Sequence, residues 1–572
     1  MKDKNGIKKA LSFLMLCFFF ASVSVGAYAQ KTVTGTVKDD GGLPLPGVAV
    51  IIQGTTTGTV TGIDGEFSLS GVSNNATLVF SFVGMESQEV AVGTQTSLNV
   101  TMVTSSIGLE EVVAVGYGTQ KRANLTGSVA MATAAQLENR PIASIGQGLQ
   151  GAIPNLNITV QNNDPNNTAD FNVRGFESIN GGSPLILIDG VPGNMDKLNP
   201  NDVESVTVLK DAAAAAVYGA RAAFGVILVE TKRGKTGKMR VTLAAEESLA
   251  FPIALIDPEE DPYKAAIAWN TAETNTSGGT RFDDDYLAGF QRWNDNPTFE
   301  NEWGVYEGSL RRYGFTDYKG MTIADFSVQQ KYDMNISGAT EDAAYYVSFG
   351  YLDKEGWAEL PRDKNYMYKR YNVLMKADFK INDWLSMDEQ ISWSAEHDDN
   401  PHFYNWDVNI NTVARVNPNA KVTFPDLPYY LTQGDRDQYE QFIGKYWLDD
   451  LNALPYWHDG GRDTETKHRL LMKQGVTLTP LKGLRIRGDF SYSTYHRERQ
   501  DVASKITAVA NTGDLANMYF ENGFSGNDYI RNYSNYDQYY VANVYGEYTL
   551  DQWADHYIKA MVGYNQEWGR NT

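Results

Sequence analysis

The sequence predicts a mainly β chain in three parts: a small β-sandwich, a mixed α+β module, and the first part of an antiparallel transmembrane β-barrel. Three observations predict it. Up to about Val103, short alternating segments recur between Gly-, Pro- and Asn-rich turns. Between about Thr119 and Lys235, apolar strand patterns flank one alanine-rich stretch. From about Met239 onward, apolar and polar residues alternate with period two, and aromatics gather at the ends of the runs.

The totals are consistent with that division. The chain has 572 residues, enough for several domains. Its 49 basic and 70 acidic residues give a net charge of −21. Such a chain does not neutralise phosphates, which argues against a nucleic-acid partner. Aromatics make up 12% and Tyr alone counts 33, which points to interfaces with lipid headgroups or ligands.

At the N-terminus, Lys2, Lys4, Lys8 and Lys9 precede the apolar run Leu11–Phe20, and Ala27-Tyr28-Ala29 offers a small-x-small cleavage site. Residues 1–29 therefore read as a signal peptide. The run is too short to span a bilayer. The single cysteine, Cys17, lies inside it and not at the end of a lipobox. A mature chain without cysteine has no disulfide and no Cys-ligated metal. No later segment is apolar for the length a spanning helix needs. A chain exported in this way can still cross a membrane as a β-barrel.

In residues 30–104 the strand patterns are TVTGTVKD, GVAVIIQG, GEFSLSGV, TLVFSFVG, QEVAVG and SLNVTMV. The pair Asp64-Gly65 supplies the positive φ of a tight hairpin. Gly42–Val50, Gly54-Thr55-Thr56, Thr61–Phe67 and Phe80–Gly84 resemble the carboxypeptidase-regulatory-like domain, a transthyretin-like β-sandwich. No His precedes His397, so this module cannot assemble a zinc peptidase site. It reads as a binding or spacer sandwich.

The junction after it, Glu110–Gly118, is EEVVAVGYG. Val112, Val113 and Val115 are strong strand formers. A lone strand between domains offers unpaired backbone groups to another chain. The other readings are a last sandwich strand or a plain linker. The longer run EEVVAVGYGTQKRANLTGSVA resembles the energy-coupling box and plug entry of SusC/RagA-type TonB-dependent outer-membrane transporters. The resemblance makes residues 105–118 the TonB box and linker. It implies that Glu111, Val112, Val113, Ala114 and Val115 pair with a TonB-type energy transducer.

Residues 119–235 carry Ser144–Gly151, a short helix or turn, and then Phe171–Asn180. Pro184–Gly190 is an apolar strand closed by a turn, and Asn199–Lys210 a capped turn running into a strand. Asp211–Gly219 reads as one short helix, and Phe224–Lys232 as a buried strand. The motifs NVRG, PLILIDGVP and NDVESVTVLKDAAAAAVYGARAAFGVILVETKRG are similar to the plug domain of the same family. Phe224 departs from the smaller or polar residue usual there, a change that alters packing. Arg174, Gly175, Asp189 and Gly190 fall on the plug motif. For Arg174, Asp189 and Glu204 two readings stand: ionic contacts holding the plug in the barrel, or turn chemistry and local pairs. The second is preferred, and neither is catalytic.

Residues 236–572 give about nine strands. The clearest are Lys331–Gly338, Tyr345–Tyr351, Tyr371–Phe379 and Leu484–Tyr492. Arg240–Leu249, Leu385–Trp393, Leu470–Leu478, Tyr540–Leu550 and Ile558–Tyr564 follow the same pattern. Strands of about 9–11 residues fit a tilted span. Trp384, Trp393 and Tyr351 suit an interfacial girdle, and connections alternate short and long, as in bacterial barrels. The polar faces then line the lumen.

Trp406, Tyr429, Trp447 and Trp457 lie in the long loops, where they could stack on sugar rings. Loop packing and headgroup anchoring is the stronger reading. His397 and His402 near Asp398 and Asp399 allow a metal site, but loop histidines are more often unliganded, and neither metal nor cofactor is expected.

The family barrel has about 22 strands and bacterial barrels an even number. The chain is therefore expected to be a truncated product or part of a longer one. The resemblance implies TonB-dependent import of a nutrient, an oligosaccharide or a peptide, with a SusD-like lipoprotein, in a barrel surrounded by outer-membrane lipid with the N-terminal domain in the periplasm. A ligand-sensing receptor is the alternative. A secreted hydrolase is disfavoured, because no nucleophile motif or compact acid pair is present.

Overall fold

The computed structural model describes residues 31–572 except 103–111, 116–117, 122–128, 161–165, 176–181, 211–214, 403–420, 426–439, 448–451, 511–518, 523–527 and short gaps of one to three residues, Arg174 among them. The described chain divides into two compact units, Met1–Thr126 and Gly127–Thr572.

The first unit is a two-layer sandwich. One sheet orders Glu66–Val72, Lys31–Asp39 and Ser97–Met102; the other orders Gly58–Val60, Ala49–Ile52, Thr77–Ser81 and Gln88–Ala91. Alternation produces the core directly. In Ser97–Met102 every second residue is buried, and Leu98, Val100 and Met102 join Val33, Val37 and Phe80 inside. Phe67 and Phe80 meet edge to face at 5.4 Å. Gly65 has φ 74°, as the hairpin requires. The junction strand is not alone: Val112–Val115 pairs antiparallel with Gly118–Lys121. It is one strand of a two-stranded ribbon, whose own partner leaves one edge.

The second unit begins with a five-stranded sheet in the order Val129–Thr133, Val203–Leu209, Val226–Thr231, Leu185–Ile188, Val191–Pro192. The apolar runs lie mid-sheet because they are covered on both faces; Val206, Val208, Ile227 and Val229 are almost wholly buried. The helix Ile145–Leu149 packs into the same core, its N-terminus capped by the Ser144 hydroxyl. The stretch expected to be one helix differs. Its first residues lie outside the described part, and Ala216–Ala222 is 3-10 turns broken at Gly219, φ 62°. The Phe224 ring occupies the space beside Gly182, where a Cβ would come within 2.3 Å of it.

Nine antiparallel strands follow in one sheet, in chain order: Gly237–Ala250, Ser327–Ala339, Ala343–Glu355, Met367–Asn382, Leu385–Pro401, Gly461–Leu481, Leu484–Ala503, Tyr529–Trp553 and His556–Asn571. They run from 13 to 25 residues, longer than the expected 9–11. The excess lies at the end carrying the long loops, where charge occupies both faces, as in His496-Arg497-Glu498-Arg499. These ends therefore project beyond any apolar layer. Loop lengths alternate as the sequence implies, short after the second, fourth, sixth and eighth strands.

The outer face carries Val373, Met375 and Ile391 in adjoining registers. Tyr332, Tyr351 and Tyr371 form a row, with centroids 6.2 and 5.0 Å apart, and Tyr540 stacks on Trp568 at 5.7 Å. That is an aromatic girdle over an apolar band. Among the described residues no helix is long and apolar enough to cross a membrane. The first long connection is itself folded: helices Pro262–Ser277 and Asp284–Asp295 pack through Ala266, Phe282 and Phe290 against Tyr313.

Candidate functional site: the plug against the barrel wall

Alternation turns a polar face of the nine-stranded sheet toward the mixed module, and the two meet through ions. Asp189 is central. The strand Leu185–Ile188 reverses into Val191–Pro192 through Asp189 (φ 48°) and Gly190 (φ 87°). Two consecutive positive φ values are the requirement of a type I′ hairpin, which Asp-Gly meets at low cost. The turn holds the Asp189 carboxylate 2.9 Å from Lys376 Nζ on the fourth barrel strand, with side-chain exposures of 6% and 2%. Gln390 Nε2 donates to the other oxygen at 2.9 Å. Thr231 donates its backbone N–H at 3.1 Å and its hydroxyl at 2.7 Å. Lys473 reaches the Asp189 carbonyl at 2.5 Å. Burial pushes the Asp189 carboxyl upward, but Lys376 and the Thr231 donors outweigh it and hold it below the usual range.

A second contact lies at Asp333 on the second strand. Asn199 and Asn201 each donate to it at 2.6 Å. Gly350, its neighbour on the third strand, makes room: a Cβ there would come within 2.7 Å of Asn199 Nδ2. Beside it, Tyr346 donates its hydroxyl to Asp202 at 3.0 Å. Burial raises the Asp202 carboxyl to about 6.

The third contact centres on Lys197. Its ammonium lies 3.0 Å from Glu396 of the fifth strand, with side-chain exposures of 9% and 0%. Glu396 also accepts from Tyr368 OH at 3.1 Å and pairs with Arg469. Arg370 donates to the carbonyls of Asp196 and Ala143, both at 2.9 Å. Burial, and then the neighbouring Arg370, push the Lys197 ammonium down to about 7. More exposed pairs close the outline: Arg233–Asp378 at 2.5 Å and Arg221–Glu567 at 2.6 Å. Half-exposed pairs of this kind contribute about 0–1 kcal/mol.

Of the residues singled out from sequence, Asp189 does more than turn chemistry, contrary to the preferred reading: it joins module to wall. Glu204 follows that reading, pairing with nearby Lys235 at 2.9 Å in the open. Gly175 has φ 98°. Arg174, Glu111, Trp406 and Tyr429 lie outside the described residues. Trp457 and Trp447 are not free to stack on a ligand. Trp457 is 2% exposed, edge to face with Trp357 at 5.8 Å, in a loop core with Tyr318 and Leu454. Trp447 is 4% exposed, with Lys421 over its ring at 4.8 Å. Loop aromatics bury themselves because each long loop supplies the others with apolar partners. His397 and His402 do not converge: His397 meets Thr466, and His402 meets Tyr529 and Asp501. Among the described residues no group of three His, Cys, Asp or Glu is placed to hold a metal. The partners Lys376, Gln390 and Glu396 had gone unremarked as site residues. Their signal was placement on the polar side of an alternating strand.

A mixed α+β module clamped by buried ions against the polar face of a sheet with an apolar, aromatic-banded outer face defines a plugged β-barrel membrane protein. Residues 33–114 match the CarboxypepD_reg-like domain and residues 121–226 the TonB-dependent Receptor Plug Domain. TonB-dependent receptor P39 of Formosa agariphila is 31% identical over 408 residues, 70% of this chain and 36% of that protein. TonB-dependent receptor SusC of Bacteroides thetaiotaomicron is 29% identical over 464 residues, 78% of this chain and 40% of that one. A solved structure of the RagAB peptide importer in its open-open state superposes with a TM-score of 0.58 at 21% identity, covering 81% of this chain and 50% of that one. The chain carries the plug domain of the TonB-dependent receptors and resembles their SusC/RagA type, whose members are outer-membrane β-barrel proteins. It spans between a third and two fifths of the length of these curated relatives.

Proposed function

We propose that the protein takes part in TonB-dependent import of a nutrient, an oligosaccharide in preference to a peptide, across the outer membrane, together with a SusD-like lipoprotein. The single observation that carries the reading is the set of buried ion pairs, centred on Asp189–Lys376, that ties the plug to the barrel wall. Such a contact closes a path and can be reopened.

The reading has a mechanical route. Val112–Val115 leads in sequence to Val129–Thr133, an edge strand of the plug sheet. An edge strand is held by one neighbour and peels one pair at a time. That neighbour, Val203–Leu209, follows directly on Asp202 and the Asn199 and Asn201 anchors on Asp333. A transducer that pairs with Glu111–Val115 by strand addition gains affinity from the main chain, and its pull reaches the anchors through that pair of strands. The test is uptake of labelled glycans in cells with and without the transducer, using protein lacking residues 111–115. Uptake lost with ligand binding retained is the expected result. Uptake that persists without the transducer refutes the reading.

A further inference from the structure

Between the plug and the barrel wall lies a cavity of about 240 Å³. It is smaller than the roughly 300–1,000 Å³ of sites that enclose a whole drug-sized ligand, so it admits one unit of a larger molecule. Its two sides differ in chemistry. The plug side offers Ile188, Val191, Pro192 and Leu198; the wall offers the polar Asn372, Ser392, Ser394 and Ser493 beside Leu470, Leu471, Tyr495 and Tyr539. A pyranose ring has the same division, a C–H face and a rim of hydroxyls.

The charge around the cavity is uneven. Lys197 and Arg469 line it, and both turn to one carboxylate, Glu396, which is 0% exposed in its side chain. Arg370 adjoins them and spends its donors on carbonyl and amide oxygens. The nearby Asp398 already has Lys467, which also pairs with Glu465, and Glu465 has Arg497. Asp537 is the one carboxylate among the lining residues. Lys197 and Arg469 thus share one buried carboxylate, in a chain whose net charge is −21. Burial, and then the Arg370 guanidinium, keep the Lys197 ammonium low. Arg469 lies over the Tyr495 ring at 4.7 Å, which fixes its guanidinium at the cavity edge.

We propose that this cavity is a subsite for one acidic sugar unit, its carboxylate or sulfate taken by Lys197 and Arg469, its C–H face on the plug and its hydroxyls on the wall serines. The proposal rests on the import reading and names its substrate class. An anion bound there competes with Glu396 for the one plug cation that crosses to the wall at this point. Ligand arrival thereby loosens the Lys197–Glu396 contact.

The test is calorimetry on the detergent-solubilised protein with a galacturonic-acid trimer, a galactose trimer and an acidic tripeptide. The acidic sugar is expected to bind at least ten-fold tighter than the neutral one, with the preference shrinking as salt is raised. Arg469→Gln is expected to remove most of that preference and Arg469→Lys to restore part of it. Equal affinity for the acidic and neutral sugars overturns the proposal with no variant needed. Equal affinity for the acidic tripeptide overturns the saccharide assignment. These readouts need no transducer. Charge preference without transducer-dependent uptake refutes the import reading and leaves the subsite standing; transducer-dependent uptake without charge preference does the reverse.

Discussion

Replacing Asp189 by Asn isolates the charge at the plug contact. Asn suits a residue at φ 48°, since it tolerates the left-handed region better than most side chains. The amide keeps the shape and one acceptor, so what changes is the charge. Lys376, 2% exposed, would be left as a buried cation without a counter-ion. Breaking a buried pair this way costs about 3–5 kcal/mol. Lys376→Met is gentler, because Asp189 keeps three donors, from Gln390 and twice from Thr231. Losing one charged hydrogen bond costs about 1.5–3 kcal/mol. The double variant leaves neither charge and is expected to cost less than the two singles together. Hydrogen exchange of the plug amides in Leu185–Ile188 and Val226–Thr231, in detergent micelles, reads the opening free energy. At 1.4 kcal/mol per decade, Asp189→Asn should accelerate exchange roughly a hundred- to a few-thousand-fold. Strictly additive effects, or an Asp189→Asn effect below ten-fold, would show that the pair does not hold the plug.

Asp202 gives a pH window of its own. Its folded value of about 6 lies above the ordinary aspartate value of 3.8, so the plug gains a proton on folding between the two. The burial penalty is present in full above pH 6 and is relieved as pH falls toward 3.8. Exchange of the adjoining Val203–Leu209 amides, corrected for intrinsic rate, should therefore slow from about pH 6.5 to 4.5, and Asp202→Asn should flatten the trend. Asp189, held below 3.8, adds nothing in that window. Gly234 predicts a steric effect: a Cβ there would lie 2.6 Å from the Gly338 carbonyl and from the Tyr345 backbone. Gly234→Ala must shift backbone against backbone, and a loss of about 1–3 kcal/mol is expected, read as a lower thermal midpoint; an unchanged midpoint refutes the close approach.

Much of the fold could be read from alternation alone. Tyr371, Val373, Met375 and Phe379 share the outer face, and Asn372, Lys376 and Asp378 the inner one, because a strand's period is two whatever it packs on. Which plug group meets Lys376 could not be read, since the pair is 187 residues apart and only the packing of the plug on the sheet brings it together. Loop packing was the preferred reading of the loop aromatics, but their partners could not be read for the same reason: Trp357 and Trp457 are adjacent in space and remote in sequence. Helix Pro262–Ser277 is a different case. Its signals were local: Asp261 as cap, Pro262 in the first turn, and Gly278 at φ 77° past the end. They were masked by a composition rich in Tyr, Trp and Asp that reads as loop.

The ionic character of the plug contact suits the proposed opening of the plug. An apolar interface of the same size would hold by area alone, and its strength would fall only in proportion to the surface uncovered. An ion pair behaves otherwise. Its attraction varies inversely with the local dielectric, so a few waters admitted beside Lys376 and Asp189 weaken it several-fold at unchanged distance. Two of its supports share residues: Thr231 donates to Asp189, and its carbonyl accepts from Lys376 at 3.0 Å. Displacing the Val226–Thr231 strand end would therefore loosen both ions together. The contact is firm while dry and fails as a unit once wetted, so under the proposed import reading a pull on the plug edge has only to let water in.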